Sequence, residues 1–133
     1  MASRPRVLVV EDDPANRSVL CELLEDEGYE ARAAPGGQEG LAQLVEFAPG
    51  VVLLDLMMPD LDGRQFRERQ KALAPPARDV PVVVLTASLP SSTDVDQLGA
   101  ELDVAAIVRK PFDLDELLAL VRVVLGGGQP GAP

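Results

Sequence analysis

Val51-Val52-Leu53-Leu54-Asp55 is an unbroken aliphatic run that ends on a carboxylate. A run with no polar alternation reads as a strand buried on both faces, the pattern of a parallel sheet. The same design recurs three times. Val7 to Val10 ends on the acidic pair Glu11-Asp12, Val82 to Leu85 ends on Thr86, and the run 104–108 leads to Lys110 just before Pro111. In open α/β sheets, sites lie at the carboxyl edge of the strands. Carboxylates, a hydroxyl and an ammonium are therefore delivered to one edge. The acids would repel one another unless a divalent cation lies among them, and the lysine and hydroxyl suit a phosphoryl group on Asp55.

Outward from these runs the chain alternates strand and helix five times. The first strand is read at 6–10, with Asp13 as helix N-cap and Pro14 at the first helical position. Leu20, Leu23, Leu24 and Glu27 set a helical period that Gly28 stops. A second strand is read at 29–33. Pro35-Gly36-Gly37 opens a second helix with Leu41, Leu44, Val45 and Ala48 on its buried stripe. The third strand is 51–54, the third helix 64–73, and the fourth strand 81–85. Ser91-Ser92 is read as the cap of a fourth helix that runs to 102, followed by a strand at 104–108. Asp113 and Glu116 form a capping-box-like pair ahead of Leu117, Leu118, Val121 and Leu125. Right-handed crossovers then give an α/β fold with a doubly wound, five-stranded parallel sheet in the order 2-1-3-4-5. Residues 1–5 are read as an N-terminal extension, 6–125 as one domain, and 126–133 as a flexible Gly/Pro-rich tail.

Composition narrows the function classes. A chain of 133 residues is one domain of ordinary size, and with only 3% aromatic residues its core must be aliphatic. A net charge of −10 with no basic stripe argues against direct nucleic-acid binding. The single Cys21 excludes an internal disulfide and reads as a small apolar helix residue. No stretch approaches the ~20 apolar residues of a membrane span, so a cytoplasmic location is expected. The chain contains no histidine, so it is neither a histidine kinase nor a histidine phosphotransfer domain by itself.

Four motifs in this order carry a resemblance. Val-Glu11-Asp12-Asp13-Pro, Leu-Leu-Asp55-Leu-Met-Met-Pro59-Asp-Leu-Asp-Gly63, Leu-Thr86-Ala87 and Arg-Lys110-Pro111-Phe112 resemble the receiver domain of two-component response regulators, across roughly 6–125. The resemblance implies a flavodoxin-like receiver fold and a signalling domain that catalyses only its own phosphorylation and dephosphorylation. Asp55 would be the phosphoryl acceptor. Asp12, Asp55 and the backbone carbonyl of Met57 would ligate Mg²⁺, with Glu11 beside them, where the family more often has Asp. Lys110 would pair with Asp55 and then with the phosphoryl oxygens, and a cis Lys110–Pro111 bond is expected. Thr86 would hydrogen-bond the phosphoryl group. The family's usual switch aromatic, three places before the lysine, is here Ile107. Met57 and Ser88 would line the path of the hydrolytic water.

The implied partners are a sensor histidine kinase or histidine phosphotransfer protein and a downstream protein effector. The kinase would meet the start of the first helix and the loop after Lys110. The face built from the fourth helix, fifth strand and fifth helix would carry output and support a homodimer. Two rivals stand beside this reading. An aspartate-nucleophile phosphatase needs a second acid two places after the nucleophile, where Met57 stands. A pseudo-receiver would bind proteins without phosphotransfer.

Overall fold

The computed structural model describes residues 4–56, 58–87, 89–90 and 92–126. The expectations for Met57, Ser88, Ser91 and the tail from residue 127 on lie outside the described residues.

The sheet has five strands: β1 (Arg6–Val10), β2 (Glu30–Ala34), β3 (Val51–Asp55), β4 (Val82–Thr86) and β5 (Ala106–Arg109). All pairings are parallel and the order is β2-β1-β3-β4-β5, as expected from the sequence. The helices are α1 (Pro14–Asp26), α2 (Gly37–Glu46), α3 (Gly63–Lys71), α4 (Val95–Leu102) and α5 (Leu114–Leu125). A 3₁₀ turn, Ala77–Asp79, precedes β4 and has no signal in the sequence reading.

Strand alternation divides the aliphatic runs between two cores. Val7, Val9, Val51, Leu53, Val83 and Leu85 pack with Leu24 of α1 and Leu117 and Val121 of α5. Leu8, Val10, Val52, Leu54, Val82 and Val84 pack on the opposite face with Leu44 of α2 and Phe66 of α3. The central strand residues are essentially inaccessible to solvent. Each fully buried Val or Leu side chain stabilises the fold by about 1.5–3 kcal/mol. The outermost strands are less buried, and β5 is only half-buried throughout.

Several boundaries move. Strands β3, β4 and β5 each extend to their polar last residue, because backbone ladders continue past the apolar run. Strand β2 begins at Glu30 rather than residue 29, and β5 at Ala106 rather than residue 104. On α2, Val45 is 61% exposed and Ala48 lies beyond the helix at φ 53°, so neither belongs to the buried stripe. Pro49 disfavours a right-handed helical Ala48, and the stripe is Gly37, Gly40 and Leu44 with the partly buried Leu41 beside them, continued by the buried Phe47. The cap of α4 is Asp94, not Ser92: its carboxylate accepts the N–H groups of Asp96 and Gln97 at 3.1 Å. Asp13 and Asp113 cap α1 and α5 as expected, and Gly28 sits at φ +95° after α1. A reciprocal capping box stands on α3, between Asp62 and Gln65.

One cap is long-range. Gly36, at the N-cap of α2, offers no side chain, and Asp60 from the β3–α3 loop takes its place. The Asp60 carboxylate accepts N–H groups of Gly37 and Gln38 at 3.0 Å and of Leu61 at 2.9 Å. The two glycines permit the approach, since a Cβ at Gly36 would stand 2.9 Å from the Asp60 carboxylate and one at Gly37 2.7 Å from Leu61 Cβ. Backbone donors, that of Gln38 foremost, hold the Asp60 carboxyl below its ordinary value of 3.8. A depressed acid contributes stability that is present above its unfolded pKa and lost as pH falls through the folded value. Asp60→Ala is expected to cost about 1 kcal/mol at neutral pH, the scale of a lost helix cap. Chemical denaturation should show the gap to wild type narrowing below about pH 4; a gap that does not change with pH would remove the charged cap from the account.

Candidate functional site

The switch point of the sheet lies between β1 and β3, whose carboxyl ends place Glu11-Asp12 beside Asp55. Carboxylate oxygens of Glu11, Asp12 and Asp55 all lie within 4.8 Å of one another. Lys110, just past β5, brings its Nζ to 3.6 Å from Glu11 Oε1 and 3.8 Å from Asp55 Oδ2. The Lys110–Pro111 bond is cis, as expected. Thr86 ends β4 in a buried position, and its carbonyl accepts the Lys110 N–H at 2.8 Å. Asp55, Thr86, Lys110, Glu11 and Asp12 are thus brought to one edge.

The two acids of the pair are not equivalent. Glu11 is buried and Asp12 exposed. Burial pushes the Glu11 carboxyl above its ordinary value of 4.5, and a hydrogen bond with Asp55 pushes the same way. The Asn16 amide, which donates to Glu11 Oε1 at 3.0 Å, and the Lys110 charge pull in the other direction. The lysine therefore serves two carboxylates.

The sequence reading missed two supports. Asn16, in the first turns of α1, reaches Glu11 as described. Arg17 Nη1 donates to the carbonyls of Glu11 at 2.9 Å and Asp12 at 3.0 Å, which fixes the backbone where β1 ends. Their spacing of five and six residues from Glu11 follows from the β1–α1 turn, and polar residues on a surface helix give no separate signal.

An all-oxygen set of three closely spaced carboxylates suits a hard divalent cation that keeps several waters, as Mg²⁺ does. Next to it, Val19 and Leu114 are 55% and 42% exposed. With Pro111 and Phe112 they wall an open, mainly apolar cleft of about 290 Å³, which Asn16 and Lys110 also line. Cys21 is half-buried, and burial raises its thiol pKa, in keeping with a plain packing role. Among the described residues, no helix is long and apolar enough to cross a membrane.

The chain is similar to known proteins over nearly its whole length. A family model described as "response regulator receiver domain" matches residues 7–122. The DNA-binding dual master transcriptional regulator RpaA of Synechocystis is 38% identical over 121 residues, covering 91% of this chain and 49% of that protein. The response regulator MprA of Mycolicibacterium vanbaalenii is 41% identical over 120 residues, covering 90% and 50%. The chain spans about half the length of the curated relatives it matches. Among solved structures, the receiver domain of the Francisella response regulator 1452 superposes with a TM-score of 0.81 at 27% identity, covering 93% of this chain and 98% of that one. The chemotaxis protein CheY4 of Vibrio cholerae gives 0.80 at 26% identity, covering 91% and 98%.

Proposed function

The chain belongs to the response regulator receiver domain family, and from that premise we propose that it accepts a phosphoryl group on Asp55 and so controls a protein partner. The observation that carries the reading is the position of Lys110, whose Nζ stands 3.6 Å from Glu11 and 3.8 Å from Asp55 within the acidic cluster. A solvated lysine at a strand end would have no reason to converge on two partly buried acids.

In the proposed step an Asp55 carboxylate oxygen attacks the phosphorus of a partner's phosphohistidine. The phosphorus–nitrogen bond breaks, the imidazole leaves with the electron pair, and an acyl phosphate forms. Lys110 offsets charge on the transferring oxygens and the Thr86 hydroxyl donates to one of them. Glu11, Asp12 and Asp55 would hold Mg²⁺, together with the backbone carbonyl of Met57. When bound, the ion neutralises charge on the acids and on the transferring group. Asn16 and Arg17 keep the end of β1 in place meanwhile. The chain has no histidine, so the donor is another protein or a small acyl phosphate.

The apolar cleft formed by Val19, Pro111, Phe112 and Leu114 supports docking of a sensor kinase or histidine phosphotransfer protein beside the site. Output is proposed to pass to a protein effector through the α4–β5–α5 face, which is also where a homodimer would form. In a longer protein of the RpaA kind, DNA binding would belong to the part this chain does not match. The pseudo-receiver alternative has nothing to recommend it, since the acceptor, acids, hydroxyl and lysine are all present at one edge.

Incubation with acetyl phosphate, followed by intact-mass measurement, tests the proposal. One phosphoryl group should be gained with Mg²⁺ and lost from the result when a chelator is present. No gain under either condition would refute it. Met57 offers no polar group to orient a hydrolytic water, so the phosphorylated form is expected to decay slowly. Met57→Asn should shorten its lifetime at fixed Mg²⁺ and temperature; equal decay rates would show that this position does not govern hydrolysis.

A further inference from the structure

Arg109 is the last residue of β5 and the register partner of Thr86 across the β4–β5 ladder. Its guanidinium reaches the chain that leaves Thr86. Nη1 donates to the carbonyl of Leu89 at 3.3 Å, and Nη2 donates to the carbonyls of Pro90 at 3.1 Å and Thr93 at 3.0 Å. One planar group thus fastens three points of the segment between the site and the cap of α4. Asp94, the next residue after Thr93, is that cap. Strand alternation puts Arg109 on the same face of β5 as Ile107. Ile107 in turn lies under α4, since a Cβ at Gly99 would stand 3.9 Å from Ile107 Cδ1. Ile107 is short and has no polar tip, so it cannot hydrogen-bond this segment.

We propose that Arg109 is a positioning residue that ties the segment following Thr86 to β5 and the start of α4, so that a change at Asp55 is passed to the α4–β5 face through its guanidinium fork. The proposal rests on Asp55 being the phosphoryl acceptor. Its physical basis is stiffness. Were the Thr86 hydroxyl to turn toward a phosphoryl oxygen, the chain bonded to it would be drawn along. A segment held at three carbonyls by a rigid fork moves together with the strand that carries the fork, whereas an untied segment absorbs the displacement locally. Lysine has the charge but not the fork, so it cannot hold three carbonyls in the same geometry.

The test compares the full chain with Arg109→Ala and Arg109→Lys. Acetyl phosphate with Mg²⁺ and intact mass report the chemistry at Asp55. Beryllofluoride with Mg²⁺, a phosphoryl mimic, and backbone amide NMR report transmission. In wild type, shifts are expected at Ala87 and also at Leu98, Gly99 and Ile107. In both variants the mass gain and the Ala87 shift should persist, while the shifts at Leu98, Gly99 and Ile107 fall severalfold, with Lys no better than partial rescue. Should Arg109→Ala lose its native circular dichroism, Arg109→Lys alone carries the comparison. Undiminished shifts at Leu98, Gly99 and Ile107 in the folded variants overturn the proposal. So does a phosphorylated wild type with no shift at those residues. Absence of a mass gain in wild type itself would refute the acceptor reading and this proposal with it, and is told apart by the mass measurement.

Discussion

Asp55→Asn is expected to abolish phosphoryl uptake outright while the chain stays folded. An amide oxygen carries no charge and is a poor nucleophile, so no acyl phosphate forms. The substitution is nearly isosteric and removes one negative charge from a crowded group. The Asp55 charge raises the cost of ionising the buried Glu11, and that part of the cost disappears with the charge. The thermal midpoint of Asp55→Asn should therefore equal or exceed that of wild type in the absence of divalent cations. Intact mass after treatment with acetyl phosphate and Mg²⁺ is the measurement. A variant that still gains a single phosphoryl mass would place the acceptor elsewhere. A variant with a clearly lower midpoint would show that Asp55 serves structure as much as chemistry.

The largest stability effect is expected far from the site, at Gln70. This residue has no exposure to solvent, yet it is polar. Its Nε2 donates to the carbonyls of Ala77 at 3.0 Å and Val80 at 2.9 Å, and its Oε1 accepts from Arg67 Nη1 at 2.7 Å. Arg67 is itself buried and also donates to the carbonyl of Leu102 at 3.2 Å and to Asp103 at 3.3 Å. Together they fasten α3 to the 3₁₀ turn and to the C-terminal end of α4. Gln70→Leu fills the same space but leaves the Val80 carbonyl and part of a buried guanidinium unpaired, and the Ala77 carbonyl keeps only the Val80 N–H at 3.4 Å. Each unpaired group costs about 1–3 kcal/mol, so a loss of roughly 3 kcal/mol or more is expected. For a chain of this size that lowers the thermal midpoint by roughly 10 °C. A second substitution, Arg67→Leu, should cost less in the Gln70→Leu background than alone, because the guanidinium would already have lost its closest acceptor, Gln70 Oε1 at 2.7 Å. A drop of only a degree or two for Gln70→Leu would mean that water replaces the amide and that the network adds little.

These two residues also mark where sequence reading succeeded and where it stopped. Asp55 was legible because a solid aliphatic run followed by a carboxylate is a local pattern, and so were Glu11-Asp12 and Thr86. Gln70 and Arg67 were not legible. In α3 they sit among Arg64, Glu68, Arg69 and Lys71, and composition alone makes all of them surface residues. Arg67 is buried because its partners at Leu102 and Asp103 lie 35 and 36 residues away, on a helix that a later crossover brings alongside. Asp60 stands in the sequence as part of a loop motif, and its role as the cap of α2 depends on a helix more than twenty residues earlier. The wrong cap for α4 has a similar cause. Ser92 is a competent cap residue, but the carbonyl of Thr93 is held by Arg109, so the helix begins only after Asp94.

By itself, then, the sequence determined the alternation of strands and helices, the parallel sheet and the set of chemical groups at its carboxyl edge. Apolar periodicity and strand-end identity are local properties, and three of the four runs are buried on both faces while β5 is half-buried. Only the tertiary structure decided which acid of the pair is buried, that Lys110 serves Glu11 as well as Asp55, and that Asn16, Asp60, Gln70 and Arg109 hold particular partners. Those choices are made by hydrogen bonds between elements, and such bonds depend on how the crossovers set helices against the sheet, a distance relation that no local pattern of residues encodes.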